Sequence, residues 1–209
     1  MIAEKKNKKI FILNLFRQNK TFVLLSVIFL FGIFIGAISG ENIDNKTFEN
    51  INKLFLSNIE ARGTNSFLYI FVSSLSSSFI FILLAFFMGL SMWGCILLPI
   101  LPFFKGFCLG ISQNYLYCSY GIKGLGFQLL VLLPGIFISV IALLLMSREA
   151  MRLSHNFSTF MLFGTREPFG RRDDIKMYLL RTGCVLIISV FASIIDTVFN
   201  MLFLNIFHF

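Results

Sequence analysis

The stretch GTNSFLYIFVSSLSSSFIFILLAFFMGLSMWGCILLPILPFF, which runs from Gly63 to Phe104, contains no charged side chain. A helix needs only about 20 apolar residues to cross the ~30 Å hydrocarbon layer of a membrane. These 42 residues are therefore long enough for two crossings. Inside lipid every backbone polar group has to be hydrogen-bonded within the protein, and a helix satisfies these groups within one segment. The stretch thus predicts an all-α, polytopic integral membrane protein.

The composition of the whole chain agrees with this class. Of the 209 residues, 57% are hydrophobic and 13% are charged, whereas a soluble domain carries about 25% charged residues. We attribute the net charge of +8 to loops that orient the helices and not to a nucleic-acid surface. The four cysteines show no metal-ligand spacing, and no hydrolase or nucleotide-binding motif is present. We expect a non-enzymatic protein without a metal or cofactor.

The uncharged runs predict five membrane crossings in a single membrane domain that covers residues 1–209. The crossings are Thr21–Ser39, Phe67–Met88, Ser91–Asn114, Leu125–Met146 and Thr182–Phe207. Pro99, Pro102 and Pro134 should bend the third and fourth of them. The first crossing follows a basic tail and could instead be a cleaved signal peptide. Its 19 apolar residues exceed the usual range of about 7–15 and favour a retained anchor.

The distribution of basic residues predicts the orientation of the chain. With the amino terminus in the cytoplasm, the tail 1–20 and the loop 147–181 are both cytoplasmic and together hold 13 of the 18 Lys and Arg residues. The outer loops hold only four, one in the loop after the third crossing and the rest in the long loop 40–66. Because cytoplasmic loops are enriched in Lys and Arg, this split favours an N-in, C-out arrangement with an odd number of crossings.

The outer loop 40–66 contains an amphipathic pattern. Phe48, Ile51 and Phe55 recur at steps of three to four residues, and polar residues fill the positions between them. This spacing predicts a short helix with one apolar face. The face either lies on the lipid interface or forms a docking ridge for an extracellular partner.

Glycines recur every four residues in two of the predicted crossings. Gly32, Gly36 and Gly40 form a double GxxxG pattern in the first, and Gly106 and Gly110 repeat the spacing in the third. Such glycines share one face of a helix and let another helix approach closely, which is how helices gain packing energy in lipid. We predict packing against helices of the same chain, with dimerisation as the alternative.

Lys105 and Asp196 are the charged residues that fall inside predicted crossings. A charge at the centre of a membrane helix costs about 2.5–3.5 kcal/mol on insertion scales and is normally paired or hydrated. Each is the fifteenth residue of its crossing, so the two should lie at similar depth. We predict that they approach each other or share a polar pocket, as a pair that fixes helix register or as a proton or ion relay.

The second crossing also contains a cluster of five serines, which are Ser73, Ser74, Ser76, Ser77 and Ser78. Small hydroxyl side chains suit close helix contacts, because each can donate a hydrogen bond to a carbonyl of its own helix. A polar permeation path is the alternative. On that reading the protein is a transporter or permease subunit that uses the bent third and fourth crossings and the region of Lys105 and Asp196.

The order of these motifs resembles the stage II sporulation protein M family, a family of bacterial membrane proteins with five spans. Phe22–Ala37 is similar to its first helix, and Phe104–Gly110 to its central Lys-Gly-x-x-x-Gly segment. Gly121–Gly126 is similar to its glycine-rich loop, which a helix containing Pro134 follows. Ala192–Asp196 is similar to the segment of the last helix where the family places an acidic residue.

The sequence departs from the family pattern in the last helix. The family usually has Glu where Asp196 stands, and often has a proline a few residues later, where this chain has Asn200 and Met201. The outer loop is also diverged.

The resemblance implies a non-enzymatic scaffold in the bacterial cell membrane, including the sporulation septum. Members of the family act with stage II sporulation proteins P and D, two peptidoglycan-degrading proteins outside the membrane, during engulfment of the forespore. The family also occurs in bacteria that do not sporulate. On this reading the chain anchors and organises wall-degrading partners, and membrane lipid is its other partner.

Overall fold

In a computed structural model, the structure describes residues 19–41, 67–163 and 172–203. Within these ranges the chain forms helices and no strand. They are α1 Lys20–Glu41, α2 Phe67–Gly89, α3 Gly94–Leu97, α4 Ile100–Phe127, a π-helix Gln128–Leu132, α5 Leu133–Phe163 and α6 Arg172–Phe203. The predicted all-α class is confirmed for the part of the chain that the structure describes.

Four helical stretches in these ranges are long and apolar enough to cross a membrane. They are Lys20–Gly40, Phe67–Gly89, Gly94–Thr159 and Ile175–Phe203. This composition fits the predicted membrane protein, and the first two stretches begin and end within two residues of the predicted crossings.

The third stretch, of 66 residues, folds back on itself at Gly121. Gly121 has φ 57° and ψ −134°, in the left-handed region that glycine adopts without steric cost. Beyond it, Gly124 lies so close to the carbonyl oxygen of Leu116 that a Cβ would overlap it. A straight helix would place these two residues about 12 Å apart. The predicted glycine-rich loop is therefore a turn at one residue, with helix on both sides.

The three prolines of the predicted third and fourth crossings lie at or near the starts of helices. Pro99 caps the amino end of α4 and Pro102 lies in its first turn, where the missing N–H groups cost little. Neither proline bends the middle of a helix. Pro134 is the second residue of α5, which follows the π-helix. A proline cannot donate to the carbonyl four residues earlier and its ring clashes with that carbonyl, so a local widening of the helix accommodates it.

The predicted cytoplasmic loop 147–181 is largely helical in the described ranges. α5 continues to Phe163 and α6 begins at Arg172. Arg181 donates a hydrogen bond to Glu149, which joins the two helices. The predicted boundary at Ser147 marks only where charged residues begin. The helix continues past it, because a helix that leaves the lipid can continue with polar side chains.

The main apolar core lies between α2, α5 and α6, around residues such as Ile82, Leu143 and Val185. Ser154 of α5, which is fully buried, ties the segment before α3 to this core. Its hydroxyl donates to the carbonyl oxygen of Ser91 and accepts from the N–H of Cys95, both at 2.8 Å. The Tyr178 hydroxyl donates to the carbonyl oxygen of Phe86 at 3.1 Å and links α6 to α2.

Candidate functional site

The glycines of α1 and α4 meet in the most extensive helix–helix contact of the described chain. A Cβ on Gly32 or Gly36 would overlap the backbone carbonyl oxygen of Phe103 or Phe107, respectively. Each α1 glycine thus accommodates a carbonyl group of α4.

The contact is reciprocal, because α4 accommodates carbonyl groups of α1 in the same way. A Cβ on Gly106 or Gly110 would overlap the carbonyl oxygen of Phe29 or Ile33. At the end of α1, Gly40 lies against the side chain of Asn114, whose Nδ2 donates to the carbonyl oxygen of Ala37 at 2.9 Å. The structure therefore brings the five predicted glycines together in one interface within the chain.

The remainder of α1 faces largely outward. Its exposed large apolar side chains are Leu24, Val27, Leu30, Phe31, Phe34 and Ile38. Leu25 is the buried exception and packs with Val140 and Leu144 of α5. The attachment of α1 to the bundle therefore depends mainly on its glycine face.

A polar cavity of about 410 Å³ lies between α2, α4, α5 and α6. Its polar lining consists of Ser73, Ser74, Ser77, Ser78, Lys105, Ser112, Ser139 and Asp196. Its apolar lining consists of Leu109, Phe127, Leu132, Gly135 and Ile136. We refer to this site as the serine cavity.

Lys105 reaches across the serine cavity from α4 toward α2. Its Nζ lies 4.6 Å from the centroid of the Phe81 ring. An ammonium group over an aromatic face is attracted by the negative potential of the ring, and the attraction is stronger where water is excluded. This contact fixes the position of the charge at the boundary between the two helices.

Asp196 approaches the serine cavity from α6 and is buried. Its backbone packs directly on α5, since a Cβ on Gly135 would come within 2.8 Å of the Asp196 Cα. Asp196 and Lys105 carry groups of opposite charge and line the same cavity. The structure thus places the two predicted residues on the walls of one cavity, while a direct ion pair between them stays a prediction.

The face of α6 that carries Asp196 is buried along its length. Its other buried members are Ser189, Ala192, Ser193, Thr197 and Asn200. Ser193 and Thr197 each donate to a carbonyl oxygen one turn earlier in α6. In the described part of the chain, neither amide atom of the buried Asn200 has a hydrogen-bond partner. Polar groups therefore continue one turn beyond Asp196 into the interior.

Four of the six serines that line the cavity belong to the predicted cluster, whereas Ser112 and Ser139 were not predicted. Their hydroxyls donate to Cys108 and Ile136 carbonyl oxygens of their own helices, at 2.9 and 2.8 Å. A single serine within an apolar helix forms no sequence pattern that would identify it as part of a cavity. Ser76, which belongs to the predicted cluster, is exposed and does not line the cavity.

The serine cavity combines one positive and one negative side chain with hydroxyl groups that can both donate and accept. Within a low-dielectric surrounding, such groups interact more strongly with a polar ligand than they would in water. The predicted outer-loop contacts Phe48, Ile51 and Phe55, together with the predicted tail up to residue 18, lie outside the described residues.

A comparison with protein families gives a match over most of the chain. The model of the family described as Stage II sporulation protein M matches residues 25–199, which extend from α1 into the last turns of α6. The matched segment includes the five interface glycines, Lys105 and Asp196. No curated protein and no solved structure matches the chain.

Proposed function

The chain belongs to the Stage II sporulation protein M family, and from this membership we propose that it is a non-enzymatic scaffold of the bacterial cell membrane. In this role it recruits peptidoglycan-degrading partners, such as stage II sporulation proteins P and D, at the sporulation septum or at other sites of wall remodelling. The observation that carries the proposal is the family match across residues 25–199.

The proposed topology has five crossings, with the amino terminus in the cytoplasm and the carboxyl terminus outside. The turn at Gly121 supports it, because the 66-residue stretch Gly94–Thr159 then supplies two crossings and the other three long helices supply one each. The 13 basic residues in the tail 1–20 and in 147–181 support the orientation. The loop between α1 and α2 and the turn at Gly121 then share the outer side.

Cys118 tests this orientation. It is exposed and lies three residues before Gly121. We expect a membrane-impermeant maleimide to label it in intact spheroplasts, because a thiol reacts as the thiolate and the thiolate forms in water. Cys95, Cys108 and Cys184 lie within the apolar helices and should remain unlabelled. The measurement is one modified thiol per chain by mass spectrometry.

Cys118→Ser is the matched control and should abolish the labelling. Two results would contradict the proposed orientation. One is labelling that persists undiminished in Cys118→Ser. The other is labelling of Cys118 only after the membrane has been permeabilised.

The partner-binding surface of the proposed scaffold is the apolar face of the outer loop. Replacing Phe48, Ile51 and Phe55 together by Asp should reduce co-purification of the wall-degrading partner at least tenfold. Apolar anchors at interface centres contribute about 2 kcal/mol or more each, and a carboxylate cannot fill an apolar pocket. The measurement is the amount of partner recovered with the tagged protein from detergent-solubilised membranes.

The control makes the same change in net charge on the polar face of the predicted helix, as Asn50→Asp with Lys53→Glu. This pair should leave both membrane insertion and partner recovery unchanged. Full recovery of the partner with the triple Asp variant would show that the outer loop is not part of the interface.

A transporter or permease subunit is a second candidate function, and one observation supports it. The serine cavity, with Lys105 and Asp196, provides a polar site in the interior of an apolar bundle. A scaffold needs no such site, whereas a transporter does.

A further inference from the structure

The serine cavity opens sideways between two helices. α2 packs against α5 and α6, but within the described residues it has no extensive backbone contact with α4. Both helices nevertheless line the cavity. The gap between them is bridged at one level by the Lys105 ammonium over the Phe81 ring.

Polar groups of α2 extend from the cavity to the outer surface of the bundle. Ser77 lines the cavity and is also exposed, and Ser76 beside it is exposed. Their neighbours Val72, Phe79 and Ile80 are exposed apolar side chains of the same helix. A surface of this composition faces lipid. The mouth of the cavity at Ser77 therefore opens into the bilayer and not only toward water.

The charges in the cavity select the chemistry of a ligand. An anion alone would be repelled by Asp196, and a cation alone would be repelled by Lys105. A molecule that carries one positive and one negative group can satisfy both side chains, with the serine hydroxyls hydrogen-bonded to its remaining polar atoms. Asp196 already has a partner in the structure, so a bound cationic group would share the carboxylate with it.

We propose that the serine cavity binds the headgroup of a zwitterionic membrane lipid that carries a phosphate and an ammonium group. The phosphate lies at Lys105 and the serine hydroxyls, and the ammonium lies at Asp196. The acyl chains remain in the bilayer outside the gap between α2 and α4. The cavity volume of about 410 Å³ falls within the range of small-ligand sites. This binding is independent of the proposed scaffold function.

The test is selective retention of lipid. The full-length protein is reconstituted into vesicles of equal phosphatidylethanolamine and phosphatidylglycerol, extracted in mild detergent and purified, and the retained lipids are quantified by mass spectrometry. We expect enrichment of phosphatidylethanolamine over its share in the vesicles. Lys105→Met should bring the ratio of retained phosphatidylethanolamine to phosphatidylglycerol close to the vesicle ratio, since loss of a hydrogen bond to a charged group lowers affinity about tenfold or more.

A matched pair of variants keeps the test decisive if Lys105→Met fails to fold. Ser77→Val and Ser76→Val change adjacent exposed serines of α2, and only Ser77 lines the cavity. Ser77→Val should reduce the enrichment several-fold, while Ser76→Val should retain the enrichment of the wild-type protein.

Three results would overturn the proposal. The first is retention of the two lipids by the wild-type protein in the vesicle ratio or with phosphatidylglycerol preferred. The second is an equal effect of the two serine variants. The third is thermal stabilisation of the purified protein by free glycine or phosphoethanolamine with no stabilisation by phosphatidylethanolamine, which would assign the site to a soluble zwitterion.

Discussion

Replacement of Gly106 by alanine is expected to separate α4 from α1 and to lower the free energy of unfolding by about 2 kcal/mol, a typical cost of overpacking a tight contact. The added methyl group would overlap the Phe29 carbonyl oxygen. That oxygen belongs to the backbone of a helix, so it cannot move unless the whole of α1 moves. Gly36→Ala should have the same effect, through the carbonyl oxygen of Phe107.

Gly183→Ala is the matched control, because a Cβ on this α6 glycine would meet no atom within 4 Å. It should leave stability unchanged or raise it by up to about 1 kcal/mol, the difference in helix propensity between glycine and alanine. Gly40→Ala should be milder than Gly106→Ala, since the opposing atoms belong to the Asn114 side chain, which can rotate away.

Two measurements on the purified protein in detergent test the interface. The first is the midpoint of thermal unfolding for each variant. The second is disulfide formation between cysteines introduced at Ala37 and Asn114, in a chain whose four natural cysteines have been replaced. Gly106→Ala should abolish the cross-link and Gly183→Ala should preserve it. Equal effects of the two substitutions would show that the α1–α4 contact does not depend on its glycines.

If Lys105 and Asp196 stabilise each other, removing either charge of the serine cavity is expected to destabilise the protein by about 3 kcal/mol, because breaking a buried pair leaves a charge uncompensated. The variants are Lys105→Met and Asp196→Leu. The double variant should lose much less than the sum of the two single losses, since it leaves no isolated charge. The measurement is a double-mutant cycle of unfolding free energies by denaturant titration in detergent.

The size of the coupling energy decides between two arrangements of the charges. A favourable coupling energy of about 1–3 kcal/mol is expected if Lys105 and Asp196 stabilise each other. Additive losses would mean that each charge is stabilised by separate groups. For Lys105 the Phe81 ring is one such group, and Phe81→Leu would then reproduce part of the loss caused by Lys105→Met.

The sequence predicted the bounds of a helix well where the uncharged run has clear ends. α2 begins at the predicted residue and ends one residue later, and α1 extends the predicted range by one residue at its start and two at its end. The bounds of α5 and α6 were predicted less accurately, because both helices continue into charged segments. A run without charge indicates the part of a helix that lies in lipid, whereas α5 and α6 both include charged residues beyond such a run.

The residues of the site were predictable one by one, but their arrangement was not. Lys105 and Asp196 stand out because a charge in an apolar helix is costly. The glycine spacing showed that a close contact exists but not that α4 is the partner of α1, because any helix with a small-residue face could fit. The lateral gap between α2 and α4 follows from which helices pack together, and no local pattern in the sequence contains that information.

The pairing of α1 with α4 has a consequence for how the protein is made. Gly106 and Gly110 follow α2 and α3 in the chain. The nascent α1 therefore resides in the bilayer with only lipid against its glycine face until the ribosome has completed α4. Its insertion depends on the hydrophobicity of its own 22 residues, and it docks only after α4 has entered the bilayer.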